Sequence, residues 1–288
     1  MNTCGTRLGL LLTCWLAFGA MDLAADPVCD LSRAEDQVLQ QQLEKLLAEQ
    51  GLSHAVERGD LALSLLILTD PGKPRLAQVN GHHMMYAASL PKIAILLGAA
   101  VAIDQGRLKP DDALMDDIHS MIRISCNDCA NRVIERVGED ELLATLQSPR
   151  FMFYDSEDGG LWLGKQYGRN PAWERDPLHD LSHGASTFQV TRFYCALQRG
   201  TLVSPRQNQM MLDALSIPGI DHKFVAGLEP YEDIQMFRKS GSWRAFHADS
   251  ALVRKGKSAY VIVGLAHDEN GGAWLEQLAA PLHELALP

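Results

Sequence analysis

Apolar residues at Val38, Leu39, Leu43, Leu46 and Leu47 recur at helical spacing and predict an amphipathic helix that ends near Gly51. Ser32 and Glu35 ahead of it are spaced as a capping box, with Leu31 as the staple residue. Residues 61–68 are an apolar run bounded by Gly59-Asp60 and by Asp70-Pro71-Gly72-Lys73, which predicts a strand and a turn. Residues 75–79 read as the returning strand. A long apolar helical pattern follows Pro91, whose missing N–H suits the first turn of a helix. Val190, Phe193, Tyr194 and Leu197 mark another helix, and residues 207–215 one more. Residues 248–253 and 258–266 flank Lys255-Gly256-Lys257 as a hairpin. Residues 273–285 close the chain as an amphipathic helix, expected to bend or break at Pro281. Strands and helices thus lie toward both ends, with a helical block between. This predicts an α/β fold: an antiparallel sheet flanked by N- and C-terminal helices, with an inserted all-helical lobe. The α/β lobe is expected at 26–85 and 216–288, and the helical lobe at 86–215.

The start of the chain has a different pattern. Arg7 precedes an almost purely apolar run over residues 8–20, and Leu23-Ala24-Ala25 supplies small residues before Asp26. Residues 1–25 therefore read as a signal peptide, and the mature chain as secreted to the periplasm. The run is too short for a membrane span, so no stable span is expected once the signal is removed. Cys29, Cys126, Cys129 and Cys195 remain, and four cysteines allow three pairings in an oxidising compartment. Cys126 and Cys129 have no second cysteine or histidine pair at zinc-site distance, and they are read as packing residues or as partners in separate disulfides. A net charge of −10 argues against nucleic acid and anionic membrane surfaces as partners. Asp111, Asp112, Asp116 and Asp117 read as helix-start residues and a solvated face.

Three short stretches carry candidate chemistry. Ser89 stands three residues before Lys92 at the head of the apolar helix, so both side chains fall on one face. A serine hydroxyl is a weak nucleophile until a base takes its proton, and a lysine amine with a depressed pKa can be that base. The alternative for this pair is a helix cap followed by a solvated lysine. Downstream lie Ser125-Cys126-Asn127 and, beside a predicted strand, Lys239-Ser240-Gly241-Ser242.

Ser-x-x-Lys, then Ser-x-Asn, then Lys-Ser-Gly, in this order, resembles the signature of the penicillin-recognising serine enzymes, the class A β-lactamases and related penicillin-binding proteins. The resemblance runs from about residue 61 to 267. It implies acyl transfer through a Ser89 ester, with β-lactams or related acyl amides as substrates. Lys92 would be the general base, or relay to it. Ser125, held by Lys239, would pass a proton to the leaving nitrogen. Asn127 would bind the side-chain amide of the substrate, and Ser240 its carboxylate with the charge of Lys239. The N–H groups of Ser89 and Ser242 would form the oxyanion hole, where one donor is worth about 2.7–4 kcal/mol. Gly241 would let the substrate backbone come close. The resemblance implies no metal and no cofactor. A D-Ala-D-Ala carboxypeptidase, or a slowly acylating penicillin- or muropeptide-binding module, is the alternative.

The chain also departs from that family. Cys126 stands where an aspartate is usual, while Asn131 fits. Only 36 residues separate Ser89 from Ser125, so the helical lobe is expected to be trimmed and an aromatic wall of the pocket to be lost. The loop acid that activates the deacylating water has no counterpart in register. Glu174, after Trp173, is the candidate, and an exposed loop glutamate is the other reading. His179 and His183 lie four apart, but Asp180-Leu181-Ser182 between them and Gly184 after them argue against a zinc helix.

Overall fold

A computed structural model describes Met1 and residues 28–70 and 72–287. The expected signal peptide therefore lies outside the described residues, apart from Met1. The first helix, α1 (Gln37–Glu49), buries Leu39, Leu43 and Leu47. Its cap is Asp36, whose carboxylate accepts from Leu39 N at 2.9 Å. Ser32 bonds to Asp30 instead, so the expected capping box does not form. Val38, expected on the buried face, is exposed. A short α2 (Ser53–Glu57) leads into β1 (Leu61–Ile67) and β2 (Arg75–Val79).

β3 (Met85–Tyr86) precedes the turn that carries Ser89, and then α3 (Lys92–Asp104). Then come α4 (Asp112–Arg123), α5 (Asn127–Val137) and α6 (Glu139–Gln147). Asp111 caps α4, and its carboxylate also pairs with Arg136, while Asp117 pairs with Arg132. Those acids hold α4 to α5. The short strands β4 (Tyr154–Asp155), β5 (Gly159–Gly160), β6 (Trp162–Leu163) and β7 (His183–Ala185) follow, then α7 (Thr187–Arg199), α8 (Pro205–Leu215) and α9 (Phe224–Leu228). The chain ends with β8 (Gln235–Trp243), β9 (Phe246–Lys255), β10 (Ser258–His267) and α10 (Gly271–Ala286). Of the expected bend or break at Pro281, no break occurs: α10 runs through it as one helix.

The main sheet is antiparallel, in the order β2-β1-β10-β9-β8. Its central strands read as unbroken apolar runs because both faces are covered. On β1, Leu61, Leu63, Leu65 and Ile67 pack with Leu39, Leu43, Leu275 and Leu282 of the terminal helices. Ala62 and Leu66 point the other way, into the core shared with the helical block. Tyr260 and Ile262 against Val261 and Val263 repeat that alternation on β10. The expected α/β architecture is the one observed. β8 is an edge strand, so one side of it is free to border a cavity. Cys29 and Cys195 form a disulfide that ties the start of the described chain to α7.

Candidate active site

The turn that carries Ser89, the candidate nucleophile, is tightly specified. Ala88 adopts a left-handed φ of 50°, and Lys92 N, Ile93 N and Ala94 N bond three residues back, to Ser89, Leu90 and Pro91 carbonyls. These are 3₁₀-type bonds, and they deliver Ser89 just ahead of α3. Lys92 is fully buried, and the apolar run that follows it, from Ile93 to Ala102, is buried with it. The amine is surrounded by four oxygens: Ser89 Oγ at 3.2 Å, Ser125 O at 2.6 Å, Ser125 Oγ at 3.3 Å and Asn127 Oδ1 at 2.8 Å. Burial lowers its pKa to about 7. Among the described residues, no carboxylate pairs with it.

Ser125 sits at a left-handed φ of 60° just before α5. Its hydroxyl also accepts from Lys239 Nζ at 3.0 Å. Lys239 is buried, and its pKa falls well below the usual lysine range, through burial first and then the charge of Lys92. Two amines thus converge on one hydroxyl. Cys126 and Cys129 are bonded to each other in the first turn of α5, not to separate partners. Cys126 is also the helix cap, its sulfur accepting from Cys129 N at 3.1 Å. It fills the structural place an N-cap aspartate can fill.

β8 supplies the third part. Lys239 and Gly241 face the nucleophile turn, while Ser240 and Ser242 face the α9 segment, as strand alternation requires. A Cβ on Gly241 would meet Ala87 O, Ser89 N at 2.6 Å and Leu90 N at 2.8 Å. Gly241 is therefore needed for the strand to lie against the nucleophile turn of the protein itself; the expectation had assigned that close approach to substrate. Ser240 is buried, and its hydroxyl is 3.2 Å from His222 Nε2. Lys223 was missed in the sequence. It is buried at φ 55°, and its Nζ donates to Gly241 O at 2.7 Å and Ser242 Oγ at 2.8 Å. Burial brings its pKa down to about 8. A buried Arg238–Asp249 pair (2.7 and 2.8 Å) fixes this segment, since Arg238 also donates to Ile220 O and Asp249 accepts from Phe224 N. Burial of such a pair is costly unless its other hydrogen-bonding positions are filled, as they are here.

The remaining wall is the stretch 164–182. Tyr167 lies with its ring 4.3 Å from Lys92 Nζ. Asn131 fixes it there: Tyr167 N donates to Asn131 Oδ1 at 2.8 Å, and Asn131 Nδ2 donates to Tyr167 O at 3.1 Å. Tyr167 is buried, and its hydroxyl has no hydrogen-bond partner among the described residues. Glu174, the candidate deacylation base, is exposed, in line with the other reading of it as a loop glutamate. Its backbone is paired with Gly164, its carbonyl accepts from Trp162 Nε1, and its carboxylate bonds to nothing among the described residues. His183 is buried against Tyr167 and Tyr86, and burial pushes its pKa down to about 3, so it stays neutral. His179 is exposed and distinct from it. Among the described residues, no group of His, Cys, Asp and Glu is arranged to hold a metal. The cavity bordered by these parts is about 630 Å³. Ser89, Asn127 and Ser242 line it, and so do Tyr86, Tyr167, Trp243 and Phe246. Aromatic side chains thus line the cavity after all, though they come from β3, the 164–182 stretch and the β8–β9 turn.

The sequence of residues 113–284 matches the model of the β-lactamase enzyme family. The chain belongs to that family, and it is an enzyme of the serine β-lactamase type. Solved structures share the fold. An ancestral class A β-lactamase superposes with a TM-score of 0.67 at 19% identity, covering 85% of this chain and 99% of its own. The β-lactamase of Sphaerobacter thermophilus gives 0.64 at 18%, covering 83% and 96%. A mutant of PBP-A, solved as an acyl-enzyme complex with penicillin G, gives 0.64 at 21%, covering 90% and 97%. No curated protein matches the sequence.

Proposed function

We propose that the protein forms a Ser89 acyl-enzyme with β-lactams or related acyl amides and releases it slowly. The observation that carries this reading is the surroundings of Lys92. A buried amine with a pKa near 7 touches the Ser89 hydroxyl, and an aromatic ring lies over it. In the acylating step, neutral Lys92 takes the Ser89 proton as Oγ bonds to the carbonyl carbon. The N–H groups of Ser89 and Ser242 take the developing oxyanion. As the C–N bond breaks, the Ser125 hydroxyl gives its proton to the leaving nitrogen and is resupplied by Lys92, which ends neutral. Lys239 holds Ser125 throughout. Asn127, bonded to Lys92, lines the cavity where the acyl side chain enters. At β8, Ser242 lines the cavity and accepts from the buried Lys223, which suits a substrate carboxylate, with Ser240 bonded to His222 and Lys239 bonded to Ser125 behind it.

Deacylation needs a water held and activated beside the ester, and a general base contributes about 10²–10⁴-fold to such a step. Tyr167 supplies no base there. A cell-wall peptidase acting on D-Ala-D-Ala ends, or a muropeptide-binding module, uses the same acylating parts, and slow release of β-lactams fits either. The two disulfides support an exported, periplasmic protein. Intact-mass measurement after mixing with benzylpenicillin, followed over time, tests the reading. A stable adduct on Ser89 is expected. Fast multiple turnover with no accumulated adduct would overturn the slow-release part, and no adduct and no hydrolysis would overturn the whole.

A further inference from the structure

We propose that the cavity accepts an acyl donor bearing a second carboxylate, on the acyl side of the scissile amide, and that Lys165 and Arg169 receive it. This deepens the Ser89 reading and rests on it for the placement of the acyl side chain. Asn127 and Asn131 are one turn apart on α5 and share a face. Asn127 reaches Lys92, and Asn131 holds both backbone polar groups of Tyr167. The chain around Tyr167 is thereby pinned to the Asn127 end of the cavity. Lys165 and Arg169 flank Tyr167 in that chain, and both line the cavity with Ser89.

These two cations are unspent. Among the described residues, neither side chain has a hydrogen-bond or ion-pair partner. Arg175, the third cation on this wall, is engaged by Asp180: Nη1 donates to its carbonyl at 2.8 Å, and Nε is 3.9 Å from its carboxylate. Asp180 is also the acid that lines this wall. The chain as a whole carries −10, so two unpaired cations facing the nucleophile's cavity run against its average charge. The charge of Lys165, with those of Lys92 and Arg175, adds to burial in holding His183 neutral. A carboxylate on a flexible side chain would complete this wall, with the Arg169 fork taking two oxygens and Lys165 acting as a point charge. A neutral side chain leaves both cations to water, and an ammonium is repelled. Such a substrate is anionic at both ends: one carboxylate toward β8, one toward Lys165 and Arg169.

The test compares benzylpenicillin with its α-carboxy analogue, which differs by that one carboxylate. Second-order acylation constants are measured for the unaltered protein and for the double variant Lys165→Gln/Arg169→Gln. The carboxy-to-neutral ratio is expected to fall about five- to tenfold in the variant, since each exposed pair is worth a few-fold at most. It should also shrink in the unaltered protein at about 0.5 M salt, where screening is strong; this arm needs no substitution. Equilibrium binding of the same two compounds to Ser89→Ala, followed by tryptophan fluorescence, reads the wall without chemistry. A ratio insensitive to both substitution and salt overturns the proposal, as does equal binding of the two compounds to Ser89→Ala. If the unaltered protein is never acylated while Ser89→Ala still favours the carboxy compound at low salt, the acyl-transfer reading fails and the anionic subsite stands. Competition by peptides ending in D-Ala-D-Ala, preceded by glutamyl or by glutaminyl, separates an anionic peptide source from an anionic β-lactam.

Discussion

Two walls of the same cavity are built in different ways. One joins the first turns of α3 and α5 to edge strand β8. Its functional groups are close-packed and interlocked: Lys92 touches Ser89, Ser125 and Asn127, and Lys239 touches Ser125. The other wall, residues 164–182, has little regular structure, and its buried acid is spent on holding it together. Asp176 accepts from Tyr154 OH and from the N–H groups of Leu178, His179 and Leu181. Among the described residues no carboxylate meets Lys92, and Tyr167 lies over it instead. The contrast teaches that one wall rests on groups locked to regular elements and the other on a loop, so the proposed making and breaking of the ester can be tested separately.

The largest effect should follow from removing the nucleophile. Ser89→Ala is expected to abolish every covalent adduct with a β-lactam, read by intact mass. An adduct that survives, or that maps to another residue, breaks the assignment of the first wall. Next comes the base. Lys92→Met should slow acylation by about 10²–10⁴-fold. The pH profile of the unaltered protein carries a sign that a structural lysine would not produce. Lys92 acts as base only when neutral, and its pKa is about 7. Acylation should therefore rise with pH below about 7 and level off above it. A profile flat from pH 5 to 9 would remove Lys92 from that role.

A third substitution tests how the walls of regular structure are joined. Gly241→Ala puts a methyl group against Ala87 O and the N–H groups of Ser89 and Leu90. These are backbone atoms and cannot swing away. Overpacking of this kind costs about 1–3 kcal/mol of stability. A nucleophile displaced by even 1 Å loses about 10²-fold in rate. Both a lower melting temperature and slower acylation are expected. Loss of stability with unchanged acylation would show that β8 can retreat without moving Ser89.

Much of the first wall was legible in the sequence, because its parts obey local rules. A step of three residues from Ser89 to Lys92 means about one helical turn wherever a helix forms. Ser125 and Asn127 precede and open another, and Lys239 to Ser242 lie on a strand that alternation fixes. The fold was legible for the same reason: β1 and β10 are apolar on both faces, and the terminal helices carry matching stripes. What escaped was decided by distant contacts. Tyr167 gains its place from two bonds to Asn131, 36 residues away. Lys223 is an ordinary lysine until Gly241 and Ser242 come beside it. The Cys126–Cys129 bond needed only local geometry, but a cap-forming cysteine reads the same with or without it. At α1 a local rule misled: Ser32 and Glu35 have the right spacing, yet Asp36 starts the helix because Arg75 on β2 pairs with it at 2.6 Å.

The smallest effects are expected on the loop wall, and they sharpen the contrast most. Glu174 is exposed and its carboxylate is unbonded, so Glu174→Gln should change acylation and release by less than about twofold, within the usual range of surface substitutions. Tyr167→Glu is the opposing experiment. It puts a carboxylate where Asn131 pins the backbone and where the Lys92 amine lies within 4.3 Å of the native ring. A carboxylate there can accept a proton from water, and the neighbouring amine favours its ionised form. Burying it and removing a packed aromatic should lower stability. Release of the penicilloyl ester should nevertheless quicken, by about tenfold or more if water reaches the site, against a ceiling of about 10⁴ for a positioned base. The measurement is the decay of pre-formed adduct by mass, at a pH near 7, for both variants and the unaltered protein. Faster decay in Tyr167→Glu with none in Glu174→Gln would place the control of turnover on Tyr167. Collapse of release in Glu174→Gln would return Glu174 to the role of deacylation base, with the loop moving to bring it inward.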